Sequence, residues 1–244
     1  MKRKTKIWLT AGGAALLVLS FLMLFFTGRI RLNTPDVNRY PVRGVDVSEY
    51  QGRVDWPRIA QQGIQFAFIK ATEGSSYVDP LFEQNWQEAG EAALVSGAYH
   101  FFSFDSPAET QADNFIAIVS ARAGMLPPVV DIELYGLHKQ DPPSPEAVRG
   151  ELSLLLTKLE AAYGQKPILY ATRKAYALYI NEDFSEYPLW IREVYFTPHL
   201  PSGRQWTFWQ YTDKGRLEGY EGPERFIDIN VFGGSAEELK KLCA

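Results

Sequence analysis

The segment Leu126-Pro-Pro-Val-Val-Asp-Ile-Glu-Leu134 sets two carboxylates two residues apart inside an apolar, β-branched run. Residues i and i+2 of a strand share a face, so Val129, Asp131 and Glu133 point one way and Val130, Ile132 and Leu134 the other. Burying one unpaired carboxylate is costly, and burying two together costs more. The pair therefore demands a cation, a metal, or a proton shared between groups of unequal affinity. Acid/base catalysis uses the last arrangement.

The same pattern recurs at distant positions, as Val45-Asp46-Val47 and Ile227-Asp228-Ile229. In each, the β-branched neighbours face a covering layer and the acid faces the opposite side. From Arg43 onward short β-branched runs alternate with helical patterns, predicting strands near 44–47, 65–70, 96–102, 128–133, 166–171, 187–191, 206–211 and 226–230. Ser106-Pro-Ala-Glu109 reads as a capping box opening a helix that Gly124 closes. Ser144-Pro145 opens another, with Val148, Leu152, Leu155, Leu159 and Ala162 in one apolar stripe and Gly164 at its end. A third runs from Pro80 to Leu94, with Phe82, Trp86, Ala89 and Ala93 on one side.

This alternation indicates α/β architecture with parallel strands, and eight strand candidates indicate an irregular (β/α) TIM-like barrel. No convincing helix falls between 187 and 230, so helices should cover mainly the first two thirds. Inward acids from the first, fourth and eighth strands, Asp46, Asp131 with Glu133, and Asp228, should then converge in the lumen near the strands' carboxyl ends. Taken singly, an inward aspartate is more often a structural partner than a catalyst. Basic residues are scarce in these runs, Lys70 being the main exception, so mutual neutralisation is disfavoured. Oxygen-only ligation of magnesium or calcium stays open as the alternative for the four acids.

Residues 1–6 are basic, and 7–28 form an apolar run of 22 residues without a charge, long enough to span a bilayer. The run ends Leu-Phe-Phe-Thr-Gly rather than at a small-x-small cleavage site, which favours an uncleaved anchor over a signal peptide. Preceding lysines and an arginine predict a cytoplasmic amino end and a translocated remainder, with Arg29 and Arg31 weakening the asymmetry. Residues 29–42 read as a linker and 43–244 as the catalytic barrel. Beyond residue 28 the chain holds 21 Lys and Arg against 29 Asp and Glu, a formal net charge of −8, which argues against nucleic acid as a partner. Cys243 is the only cysteine and the three histidines lie apart, so neither an internal disulfide nor a zinc set is indicated. No cofactor is called for.

Gly44-Val-Asp-Val-Ser48, Gln51-Gly52, Asp55-Trp56, Phe68-Ile-Lys-Ala-Thr-Glu-Gly74, Tyr77-Val-Asp-Pro80, Gly97-Ala-Tyr-His-Phe-Phe102, Pro128-Val-Val-Asp-Ile-Glu133, Leu189-Trp-Ile191, Trp209-Gln-Tyr211 and Ile227-Asp-Ile-Asn230, in that order, resemble the glycoside hydrolase family 25 lysozymes, the Chalaropsis-type muramidases. The likeness runs from about Arg43 to about Gly233. It implies cleavage of the β-1,4 bond between N-acetylmuramic acid and N-acetylglucosamine in peptidoglycan glycan strands, with retention, on a distorted β/α barrel. Carried onto this chain, it makes Glu133 the acid/base, Asp131 its tuner, and Asp46 and Asp228 the rest of an acidic floor. Tyr99 is placed at the sugar near the reacting carbon, while Lys70, Glu73, Tyr170, Trp190, Trp209 and Tyr211 are further candidates for cleft contacts. Tyr170 and Trp190 are equally at home in a core. His100, next to Tyr99, should point away from the lumen and serve structure. Ser103 stands where many relatives have arginine, a departure that leaves the four acids intact.

The resemblance and the anchor together imply a single-pass protein of the bacterial inner (cytoplasmic) membrane, its barrel facing the periplasm or exterior. The chain shows no added wall-binding repeat, a role that an anchor could fill. A non-catalytic peptidoglycan-binding or scaffold protein on the same barrel is the alternative of a different class. An amidase or peptidase would need a zinc set or a paired Cys/His or Ser/His signature. Protein partners and oligomeric state are not indicated.

Overall fold

The computed structural model describes residue 13 and residues 16–181 and 183–243. Nine strands occur among them: β1 (Arg43–Val47), β2 (Phe66–Glu73), β3 (Tyr77–Val78), β4 (Val95–Phe101), β5 (Val129–Ile132), β6 (Ile168–Thr172), β7 (Leu189–Arg192), β8 (Phe208–Gly215) and β9 (Ile227–Phe232). They pair in the order β1-β9-β8-β7-β6-β5-β4-β2, and a β1–β2 pairing closes an eight-stranded barrel. The two-residue β3, which strand periodicity does not reveal, hangs antiparallel on the end of β2.

Within the barrel the pairings are parallel except those of β9, which runs antiparallel to both β8 and β1. A parallel return needs a crossover of a dozen or more residues, usually helical, and residues 216–226 between β8 and β9 contain no helix. The reversal matters for the site. The beginning of β9 lies at the barrel end where the parallel strands finish, and Asp228 pairs directly opposite Asp46.

Strand alternation sorts the core into two bodies. Val45, Val47, Ala67, Ile69, Val130, Ile132, Leu169 and Ile191 face outward and pack under the helices. Phe66, Phe68, Leu126, Val129, Ile168, Tyr170, Trp190, Phe208 and Phe232 fill the lumen. Phe68 stacks on Trp190 with ring centroids 4.3 Å apart, and Phe66 and Phe208 meet edge to face at 5.2 Å. Room for this plug comes from glycines. A Cβ at Gly44 would lie 2.3 Å from the Phe66 ring, and one at Gly97 would lie 2.8 Å from Phe68.

Helix Pro145–Tyr163 begins with proline in its first turn and ends at Gly164 in the left-handed conformation, φ 69°. Its buried stripe is Val148, Leu152, Leu155, Leu156 and Leu159, whereas Ala162 is exposed. Helix Ala108–Ile118 is capped differently from the box expected at Ser106. Pro107 is the N-cap residue, without a side-chain cap bond, and the Glu151 carboxylate instead accepts from Ala108 N–H at 2.7 Å. That helix stops at Val119, well before Gly124, which sits in a later turn. Helix Phe82–Glu91 buries Phe82, Asn85, Trp86 and Ala89, and Ala93 lies beyond its end with φ 61°.

The apolar run at 7–28 lies partly outside the described residues. Residues 16–26 are helical, and Leu17, Met23 and Phe26 are largely exposed on them. Among the described residues no helix is long and apolar enough to cross a membrane. Residues 29–42 lie along the barrel. Asn33 is buried and its Nδ2 donates to Glu193 O at 3.2 Å and Tyr211 O at 2.8 Å, while Val42 joins the lumen cluster.

Candidate active site

A cleft of about 390 Å³ opens over the aromatic plug at the end where the parallel strands finish. Asp46, Asp131, Glu133 and Asp228 all line it. Asp131 is the penultimate residue of β5, and Glu133 follows just past the strand end, so both reach the same space as the alternation requires. Glu133 is partly exposed to the cleft, whereas Asp131 is 8% exposed and its Oδ1 has no hydrogen-bond partner.

The four carboxyls sit in different settings. Asp46 accepts from Asn230 Nδ2 at 2.7 Å and from Gln210 Nε2 at 3.0 and 3.1 Å. Gln210 Nε2 also reaches Asp228 Oδ2 at 3.3 Å. Both amides are locked from behind. Tyr170 OH donates to Gln210 Oε1 at 3.0 Å, and Trp190 Nε1 donates to Asn230 Oδ1 at 2.8 Å, which orients each NH₂ toward the acids.

Burial raises the Asp46 pKa, while hydrogen bonds from Asn230, Gln210 and Asp228 pull it back. Burial likewise lifts Asp228 well above the ordinary carboxylate value, and there the charge of Asp46 and the hydrogen bond to it add to the rise. Both carboxyls are thus raised, Asp228 the further of the two, so a proton shared by the pair favours Asp228 and the charge favours Asp46. Although Asp46 and Asp228 keep some surface toward the open cleft, protein encloses them on the other sides, which is why desolvation dominates. Asp131 is also lifted well above the ordinary value, by burial first and then by the charges of Glu133 and Asp46, with Lys70 opposing.

Two cations flank this floor. Lys70 Nζ pairs with Glu73 Oε2 at 2.6 Å and lies 5.1 Å from the centre of the Phe101 ring. Arg192 Nη2 pairs with Asp213 Oδ2 at 2.6 Å, and its charge lowers the Asp228 pKa. Burial, then the charges of Asp46 and Asp131, push the Tyr99 phenol well up, so it stays protonated and able to donate.

Tyr99, Lys70, Tyr170 and Trp190 line the cleft, with Tyr170 and Trp190 also belonging to the lumen core. Glu73 reaches the site through Lys70 and does not line the cleft. Trp209 and Tyr211 point outward into the helical layer, the Trp209 indole donating to Glu193 O at 2.8 Å. His100 is fully buried behind Tyr99, with Nδ1 2.7 Å from Thr72 Oγ1 and Nε2 3.0 Å from Gln111 Oε1. The Gln111 amide donates to Ser103 O and Ser106 O, so its oxygen accepts from His100 Nε2. Burial pushes that imidazole down to about 4.

Residues that motif reading passed over are Gln210, Asn230, Arg192 and Asp213. Period-two alternation carries the signal for the first two. Gln210 lies between outward Trp209 and Tyr211, and Asn230 is two residues beyond Asp228, so both must face the lumen.

A closed β/α barrel with unequal carboxyls over an aromatic-walled cleft defines a glycoside hydrolase of the two-carboxylate kind. Residues 45–220 match the profile of Glycosyl hydrolases family 25, and the chain belongs to that family. The Escherichia coli K12 protein YegX is 40% identical over 206 residues, covering 82% of this chain and 73% of that one. Lysozyme M1 of Streptomyces globisporus is 34% identical over 217 residues, covering 82% and 71%. The solved family 25 glycosyl hydrolase from Bacillus anthracis superposes with a TM-score of 0.81 at 49% identity, covering 86% of this chain and 96% of that one. The chain is thus a glycoside hydrolase of the lysozyme type.

Proposed function

We propose that this protein is a membrane-anchored muramidase that cleaves the β-1,4 bond between N-acetylmuramic acid and N-acetylglucosamine with retention, and that Glu133 is its acid/base. The observation that carries the assignment is a single cleft in which burial raises Asp46, Asp131 and Asp228 while Glu133, just past the end of β5, opens to the same space. Glu133 hands its proton to the glycosidic oxygen as the C–O bond breaks. The Asp46 carboxylate faces the positive charge that develops at the anomeric carbon. Asp131, packed beside Glu133, sets that carboxyl's electrostatic surroundings, and a proton on Asp228 keeps the Asp46–Asp228 pair singly charged. Water then adds to the sugar and returns its proton to Glu133. Retention requires a first attack from the face opposite the leaving group, by a carboxylate or by the substrate's N-acetyl oxygen.

Tyr99 gives the cleft a phenol donor, Tyr170 and Trp190 give it ring faces suited to a sugar, and Lys70 closes one side. Residues 7–28 hold the chain in the bacterial cytoplasmic membrane as a single pass, with 1–6 inside, 29–42 leading out and 43–244 facing the periplasm or exterior. The uncharged length of that run and the basic residues before it support this placement. Incubating purified sacculi with residues 29–244 tests the chemistry. New reducing ends and disaccharide muropeptides, both lost in Glu133→Gln, are the expected result. Sedimentation with intact walls and no release would leave only a binding protein, and free stem peptides would mean a different bond.

A further inference from the structure

The join between the apolar helix and the barrel carries more chemistry than a tether needs. Gly28, at φ +69°, ends the helix, and Lys214 Nζ donates to Phe26 O at 2.5 Å, placing a cation at the helix carboxyl end. Phe25 packs on Tyr195 with centroids 5.8 Å apart, and Arg31 Nη2 donates to Lys214 O at 3.0 Å. The helix therefore meets the barrel at the β8 side in a defined pose.

A crevice of about 470 Å³ lies in this join. Met23, Leu24 and Phe26 line it on the helix side, and Arg29, Lys214, Arg216 and Arg225 line it on the other. Arg31 stands close by: partial desolvation, then the charges of Arg29, Arg225 and Arg31, lower the Arg216 pKa. Among the described residues none of these five cations is in an ion pair, although the barrel part carries a net charge of −8. Tyr195 and Phe196, 45% and 61% exposed, stand on the same side as Phe25. Exposed aromatics at the end of an apolar helix suit the headgroup level of a bilayer.

We propose that this crevice seats the phosphodiester headgroup of an anionic phospholipid, its phosphate among Arg29, Lys214, Arg216 and Arg225 and its acyl chain along Met23, Leu24 and Phe26. The inference rests on reading residues 7–28 as a membrane segment. Charge complementarity selects the lipid: a basic crevice on an acidic protein, walled on one side by an apolar helix, fits an anionic amphiphile. Phe226 lines both the crevice and the catalytic cleft. Seating a lipid here holds the cleft against the membrane surface, so the enzyme works on glycan next to the bilayer instead of sweeping the wall on a loose tether.

Nearly all of the Bacillus anthracis chain lies within the matched region, so the barrel without residues 1–28 is a folding unit and can be tested alone. Residues 29–244 should float with phosphatidylglycerol vesicles and not with phosphatidylcholine vesicles, and should release in high salt. Arg216→Glu/Arg225→Glu should weaken flotation by at least about 25-fold, from about fivefold per basic residue lost. Its release of reducing ends from soluble glycan should match wild type. Equal flotation with both lipids, or flotation indifferent to the double reversal, would overturn the proposal. So would a variant that floats normally but loses turnover only on peptide-bearing glycan, because the cations would then serve stem-peptide carboxylates. Alkaline extraction of the full chain from membranes reports separately on the anchor: its release there would refute the membrane segment and leave the vesicle result standing.

Discussion

Replacing Gln210 with methionine tests the claim that neutral amides, and not cations, decide which acid of the floor carries the charge. Methionine matches the length and volume of glutamine but cannot donate, so Asp46 loses its contacts at 3.0 and 3.1 Å and keeps the 2.7 Å bond from Asn230 and the hydrogen bond with Asp228. A hydrogen bond to a charged group contributes about 1.5–3 kcal/mol. If that charge stabilises the transition state, kcat/KM should fall between about tenfold and about 150-fold. The pH profile supplies the sharper readout. Hydrogen bonding by Gln210 lowers the Asp46 pKa, so its removal must raise it. Activity that needs ionised Asp46 is lost as pH falls through that pKa, and the acid limb of kcat/KM should therefore move to higher pH. Tyr170 also loses its acceptor at 3.0 Å, which adds to the stability cost. The stability cost should stay near about 1 kcal/mol, or about 2–4 °C in Tm. Reducing-end release from sacculi across a pH series, with melting curves of the same preparations, gives both numbers. A fall in turnover with an unmoved acid limb would show that Gln210 only shapes the cleft, and unchanged turnover would refute the role of Asp46.

Glu133→Gln should abolish turnover and leave Tm within a few degrees, because Glu133 is partly exposed and lies outside the regular strand. Gly44→Ala should cost about 1–3 kcal/mol, since its Cβ would sit 2.3 Å from Phe66 inside a filled lumen, and urea midpoints measure it. His100 is neutral when folded, with a pKa pushed down to about 4 by burial, so the unfolded chain binds the extra proton between that value and about 6.5. Its contribution is present above about pH 6.5 and is lost on acidification, by about 2 kcal/mol between pH 7.5 and 5. The buried aspartates have raised pKa values and act with the opposite sign, so the comparison must be with His100→Gln, whose stability should fall less over that interval. Arg192→Leu should raise the Asp228 pKa further and reduce kcat/KM by at least about tenfold; an unaltered rate would remove Arg192 from the site.

The barrel and its acids were legible because strand alternation is a local property that burial enforces everywhere. Each predicted strand appears within a few residues, and Asp46, Asp131, Glu133 and Asp228 meet as their shared setting required. What escaped notice depended on relations between distant segments. The reversed sense of β9 follows from a connection too short for a helix, which could have been read from residues 216–226. The outward placement of Trp209 and Tyr211 follows from the same alternation that turns Gln210 inward, so treating all aromatics as cleft candidates overrode the better signal. The cap of helix Ala108–Ile118 could not be anticipated locally, because the acceptor is Glu151 on another helix. Pairings such as Arg192 with Asp213 join neighbouring strands at a register that sequence does not supply.

Four acids can share one cleft here because each excess charge is answered by a different means. Asp228 is raised by burial first and then by the charge of its cross-strand partner, and its hydrogen bond in turn lowers the partner's pKa. Asp131 is lifted by burial in a site whose floor is aromatic, while Lys70 sits near enough to oppose the rise but is already committed to Glu73. Arg192 is similarly committed to Asp213. With both cations partly satisfied elsewhere, the negative charge is left to Asp46 and its two amide donors. Amides bind a carboxylate without supplying a compensating full charge, so the cleft floor keeps a net negative potential, which is what the proposed mechanism needs opposite a developing cation. The antiparallel β9 is the structural condition for this, since a parallel strand would bring Asp228 and Asn230 to the barrel end by a different register and separate them from Asp46.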